Sequence, residues 1–130
     1  MILCSGAFDG LHVGHMAYLE KARTYKRPFE FIVVAVAPDA YIREAKKRQP
    51  YWHQSERMEA LNHVRHVSFT IAQTELSVVS VIEQWRPRLF VKGIDWLRTL
   101  PDDVIAACAR TNTRIVFVNT ERTHTSEAMA

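Results

Sequence analysis

Apolar and polar positions along the chain mark out five short strands alternating with helices. Residues 1–4 are an apolar strand that ends at Gly6, and Met16, Leu19 and Ala22, with Tyr18, recur at helical spacing over residues 15–25. Residues 31–37 (FIVVAVA) form a continuous apolar run, the pattern of a strand covered on both faces. Pro38 and Asp39 close that run, and residues 41–52 are polar and basic, a loop with a little helix. Ser55 reads as an N-cap with Glu56 in the first turn and Met58, Leu61 and Val64 on one face. A short strand over 67–71 follows, then a helix over 76–85 with Val78, Val79, Ile82 and Trp85 inward. Residues 89–92 are a buried strand ending at Gly93, Pro101 opens a helix running to about Arg110, and 114–118 is the last strand. The series predicts an α/β, Rossmann-like single domain over residues 1–130, with a five-stranded, mostly parallel sheet and helices on both faces. Ligands of such sheets bind outside the carboxyl ends of the strands, where the strand order reverses.

Composition narrows the class. The chain has 130 residues, 48% hydrophobic and 24% charged, with four glycines and five prolines, which excludes collagen-like, linker-rich and disordered chains. Lysine and arginine exceed aspartate and glutamate by 17 − 14 = 3, a mild basic excess that suits an anionic ligand. The charge is not gathered into one run, so no nucleic-acid partner is expected. Cys4 and Cys108 form no framework and read as core residues in a reducing compartment. The opening apolar segment is too short for a signal peptide, and no apolar run approaches the ~18 residues of a membrane span. The expectation is a cytoplasmic protein with no membrane partner.

Three of the four glycines, Gly6, Gly10 and Gly14, fall in the run GAFDGLHVGH between the first strand and first helix. The spacing matches neither a P-loop nor Gly-x-Gly-x-x-Gly. What it offers is His12-x-Gly14-His15 at a helix entrance. A helix N-terminus favours phosphate, Gly14 leaves space for a close approach, and two imidazoles three residues apart reach the same phosphate oxygens. His63 and His66 repeat the spacing, but no further ligands stand in register for zinc, so no metal held by the protein is expected.

The run GAFDGLHVGH resembles the signature of the cytidylyltransferase-like nucleotidyltransferases, and the likeness extends along residues 1 to about 126. In look it is nearest to the glycerol-3-phosphate cytidylyltransferases and the adenylyltransferases of ADP-heptose synthesis. Arg57 and Arg65 match the family's second region, Val91 to Trp96 (VKGIDW) the third, and Glu121 to Ser126 (ERTHTS) the fourth. The resemblance implies nucleotide binding by Gly6, Ala7, Phe8, Gly14, Gly93, Asp95, Trp96, Thr125 and Ser126. It implies acceptor or phosphate contacts for Asp9, Arg57 and Arg65, and catalytic phosphate contacts for His12, His15, Arg122 and one of Lys46 or Lys47. The implied reaction joins an NTP, CTP or ATP carried with Mg²⁺, to a phosphorylated small molecule and releases pyrophosphate. A homodimer is implied as well. The alternative is a nucleotide-binding or regulatory module of the same fold without turnover, suggested by Ile94, by the altered stretch 65–70 and by the short stretch after the fourth region.

Overall fold

The computed structural model describes residues 1–121. In chain order the elements are β1 (Ile2–Gly6), α1 (Val13–Arg23), β2 (Ile32–Val36), α2 (Asp39–Lys46), α3 (Gln54–Asn62), β3 (Phe69–Ala72), α4 (Val79–Trp85), β4 (Leu89–Gly93), α5 (Asp102–Arg110) and β5 (Arg114–Val118). A short 3₁₀ turn, Ile94–Trp96, follows β4. The five strands form one sheet in the order β3-β2-β1-β4-β5, every neighbouring pair parallel. This is the α/β, Rossmann-like architecture the hydrophobic pattern implies.

Strand alternation sends successive side chains to opposite faces, and each face is covered. Ile2, Cys4, Val34, Val36 and Val91 pack beneath Tyr18, Leu19 and Ala22 of α1 and Leu61 of α3. Leu3, Val33, Ala35 and Phe90 pack beneath Val81 and Ile82 of α4 and Val104, Ala107 and Cys108 of α5. All five residues of β2 are buried, which is why that strand reads as an unbroken apolar run. Cys4 and Cys108 are free and buried, and burial pushes the Cys4 thiol up to about 12 and that of Cys108 to about 11.

Register makes the crevice. β1 pairs with β2 through Gly6 and Val36 but with β4 only through Cys4 and Val91. Beyond Cys4 the two central strands part, at the point where the strand order reverses. The Tyr18 hydroxyl enters this gap, accepting from the Ser5 N–H at 3.1 Å and donating to the Val91 carbonyl. One phenol from α1 therefore replaces the ladder bonds that the parting strands give up.

Several boundaries differ from the sequence reading. The stretch after Pro38 holds an eight-residue helix, α2, with Asp39 in its first turn and Ile42 its single buried residue. Its apolar face is too narrow to announce itself. The N-cap of α3 is His53 rather than Ser55, with the Glu56 carboxylate accepting the His53 N–H at 3.0 Å. β3 begins at Phe69, while Val67 is already core. α4 begins at Val79, and Trp85 at its end is 40% exposed, its ring tilted against that of Phe69 rather than turned into the core. Among the described residues no helix is long and apolar enough to cross a membrane.

Candidate active site

The parting strands open into a cavity of about 740 Å³. Its walls come from the loop after β1, the start of α1, the segment around Lys46 and Arg48, and the end of β4. The first of these is the run of glycines and histidines. Gly10 sits at φ +97°, a left-handed conformation that favours glycine. Phe8 is also left-handed at φ 52°, a strained position held by burial of its ring against His15 and Tyr18.

His12 and His15 close on each other at the entrance of α1. His12 is the N-cap, and its Nδ1 accepts the Gly14 N–H at 3.0 Å. The His15 Nδ1 accepts the His12 N–H at 3.2 Å, and the two rings stack with centroids 3.9 Å apart. With both Nδ1 atoms acting as acceptors, the proton of each neutral ring lies on Nε2. Each imidazole is thus a fixed Nε2–H donor on the cavity wall. A Cβ on Gly14 would lie 2.8 Å from His12 Cε1, so the room that this glycine leaves is taken by the His12 ring. The sequence reading assigned that room to a ligand. Burial pushes the His15 pKa down to about 4, with smaller electrostatic contributions from the neighbouring His12 and Lys46 in the same direction. The first turn of α1 carries no acidic residue, so its dipole faces the cavity without a competing carboxylate.

Lys46 and Lys47 separate cleanly. Lys46 lines the cavity, whereas Lys47 caps α2 in a left-handed conformation off the wall. Arg48 joins Lys46 there, a residue the sequence reading left in a generic basic cluster. Gly6, Ala7, Gly93, Asp95 and Trp96 also line the cavity, and Ile94 does not.

Three expected phosphate contacts are placed otherwise. Both carboxylate oxygens of Asp9 are spent on the segment after α2, accepting from Arg48 Nη1 at 2.7 Å and the N–H groups of Tyr51 and Trp52 at 2.8 and 2.9 Å. Burial works against ionisation of Asp9, but these bonds outweigh it and hold its pKa below the usual carboxylate range. Arg57 is 2% exposed and donates to the carbonyls of Trp52, Ala7 and Ala37 and to Asp39, the last at 2.6 Å. Its guanidinium is engaged by protein oxygens. Arg65 is exposed in the turn before β3, at the amino end of the sheet and away from the cavity. Arg122, Thr125 and Ser126 lie outside the described residues.

Lys92 and Gln73 are wall residues that the sequence reading did not single out. Lys92 is buried, with Nζ 3.3 Å from the Ser5 carbonyl and 4.5 Å from the centre of the Trp96 ring. The available signal was a lysine inside an apolar strand, one residue before a glycine. Among the described residues no three His, Cys, Asp or Glu side chains gather as a metal site, and the Asp9 oxygens are occupied. The described residues do not fit a protein-held Mg²⁺ cage; a divalent ion here would arrive on phosphate oxygens.

Residues 3–127 match the family model described as cytidylyltransferase-like. The bifunctional protein HldE of Geotalea uraniireducens is 31% identical over 126 residues, which is 95% of this chain and 25% of that protein. The FAD synthase of Methanobrevibacter ruminantium is 29% identical over 94 residues, 72% of this chain and 62% of that one. The chain thus spans about a quarter of the length of that HldE relative. A lipopolysaccharide core biosynthesis protein from Thermoplasma volcanium superposes with a TM-score of 0.77 over 93% of this chain and 97% of that one, at 21% identity, which shows a shared fold.

Proposed function

This chain belongs to the cytidylyltransferase-like family, and from that premise we propose that it transfers a nucleotidyl group from ATP or CTP to a phosphorylated small molecule. The nucleotide enters as its Mg²⁺ complex, and pyrophosphate leaves. The observation that carries the proposal is the pair of imidazoles whose Nδ1 atoms are tied to main-chain N–H groups, leaving two Nε2–H donors side by side on the cavity wall.

The chemistry follows from those donors. A phosphate monoester has a second pKa of about 6, so the acceptor is largely dianionic at neutral pH and brings its own nucleophile. Its oxygen attacks the α-phosphorus in line, and the bond to the β-phosphate oxygen breaks. No general base is needed. What the protein supplies is position and compensation for charge at the α-phosphate and the leaving pyrophosphate. His15 donates from Nε2 without changing protonation, because burial keeps it neutral down to about pH 4, and His12 stands beside it as the second donor. Lys46 contributes positive charge at the cavity wall, and Arg48, paired there with Asp9, presents its guanidinium as a further donor. Asp95 and Trp96, on the turn after β4, line the cavity, and in this reading they accept from a base amino group and cover it.

Turnover is preferred over a binding module for a specific reason. Two of the departures that recommend the latter, Ile94 and residues 65–70, lie off the cavity wall. The test is pyrophosphate release over four NTPs and a panel of phosphorylated sugars, polyols and cofactor precursors. Release that requires both substrates is the expected outcome; tight nucleotide binding with no release across the panel overturns the proposal.

A further inference from the structure

Lys92 has no task in the transfer just described. It is the only lysine among the described residues that is buried, 8% exposed, yet its side chain lines the cavity. No carboxylate of the described residues pairs with it. Among the described residues its hydrogen bonds go only to Ser5, to the carbonyl at 3.3 Å and to Oγ at 3.4 Å, both at the long end for N–H···O contacts. The face of Trp96 covers the amine from one side. The other titratable groups near it among the described residues are Cys4 and Tyr18, both kept neutral by burial, and Asp95, whose negative charge acts on it from beyond ion-pair distance.

A lysine with this setting is a nucleophile rather than a surface charge. We propose that Lys92 condenses with phosphorylated aldehydes bound in the cleft, which makes these compounds covalent, reversible ligands of the site. The neutral Nζ adds to the carbonyl carbon, and the carbonyl oxygen takes up a proton to give a carbinolamine. That hydroxyl leaves as water as the C=N bond forms, so amine and aldehyde give imine and water with no oxidant or reductant. Hydrolysis of the imine reverses the step. The phosphate of such a ligand meets the wall formed by His12, His15, Lys46 and Arg48. Burial lowers the Lys92 pKa to about 8, against a partial opposing pull from Cys4 and Asp95. At pH 7 roughly one molecule in ten then carries the free amine, against about one in 3,000 for an ordinary lysine. Pyridoxal 5′-phosphate and the open-chain forms of aldose phosphates belong to the ligand class.

This inference does not depend on nucleotidyl transfer, and its test reads no turnover. The full chain is incubated with pyridoxal 5′-phosphate, reduced with borohydride, digested and mapped by mass spectrometry. The expected result is one dominant phosphopyridoxyl group on Lys92, suppressed by pyrophosphate. Unphosphorylated pyridoxal should label at least ~10-fold less, as loss of a charge-assisted phosphate contact implies. Labelling that falls on Lys46 or Lys47, or follows exposure across all lysines, overturns the inference. So does equal labelling by pyridoxal. Lys92→Arg, checked for folding by circular dichroism, should abolish the dominant label; if that variant does not fold, the map on the unaltered chain decides.

Discussion

Arg57→Met separates a structural arginine from a phosphate ligand. The substitution keeps most of the side-chain volume but deletes donors to the Trp52, Ala7 and Ala37 carbonyls and to Asp39. The arginine side chain is 1% exposed and that of Asp39 22%, so little solvent is at hand to replace what is lost. Breaking a buried, hydrogen-bonded pair from one side costs about 3–5 kcal/mol. For a domain of 130 residues, that corresponds to a fall of about 10–20 °C in melting temperature. The acid limb should change as well. Hydrogen bonds from Arg57 and His53 outweigh burial and hold Asp39 below its ordinary pKa, so its contribution is present above the unfolded carboxylate pKa and lost as pH falls through the folded one. Without Arg57 that part of the acid dependence should flatten. Differential scanning calorimetry from pH 7 to pH 3 measures both effects, and calorimetric titration with NTP below the melting range measures binding. A melting temperature within ~3 °C of the unaltered chain, joined to a loss of NTP affinity of tenfold or more, would refute the structural role.

Other consequences follow from the same geometry. His15→Ala should lower kcat by about 10²–10³-fold; Gln, which can place an N–H where Nε2 stands, should recover part of that loss in steady-state assays, and Asn should not. The His15 ring should titrate near 4 by proton NMR; because the unfolded ring takes its proton first, acid weakens the fold as pH drops from about 6.5 to 4, and a midpoint near 6.5 would contradict this. Glu30, chelated by Arg88 at 2.7 and 2.9 Å, has its pKa lowered to about 2, chiefly by that arginine. Its contribution should be full above about 4.5 and disappear toward pH 2, so Glu30→Gln should destabilise by about 1.5–3 kcal/mol at pH 7 in urea titrations and show less acid dependence. Tyr18→Phe leaves the Ser5 N–H and Val91 carbonyl without their partner. It should cost about 1–3 kcal/mol and speed hydrogen exchange at the Ser5 amide.

What could be read from the sequence follows from the range of each interaction. Strands such as β2 are legible because burial on both faces leaves an unbroken apolar run. The His12–His15 cluster is legible because its hydrogen bonds close within three residues. Arg57 and Asp9 mislead because their partners lie 18 and 39 residues away, and a carboxylate or a carbonyl asks of an arginine what a phosphate asks. α2 hides because Ile42 is its only buried side chain, and Lys92 hides because an apolar strand surrounds it. Of the two lysines after β2, the left-handed cap at Lys47 decides which one meets the cavity, a property of backbone that composition does not carry.

Phosphorus-31 NMR of the protein with its NTP and phosphorylated acceptor tests the central claim most directly. The expected spectrum shows the α-phosphorus moving into a new diphosphate with the acceptor phosphorus while one pyrophosphate appears for each product. Attack at any other phosphorus, seen as orthophosphate or a nucleoside diphosphate, or an NTP that binds and remains intact with every acceptor, would contradict it.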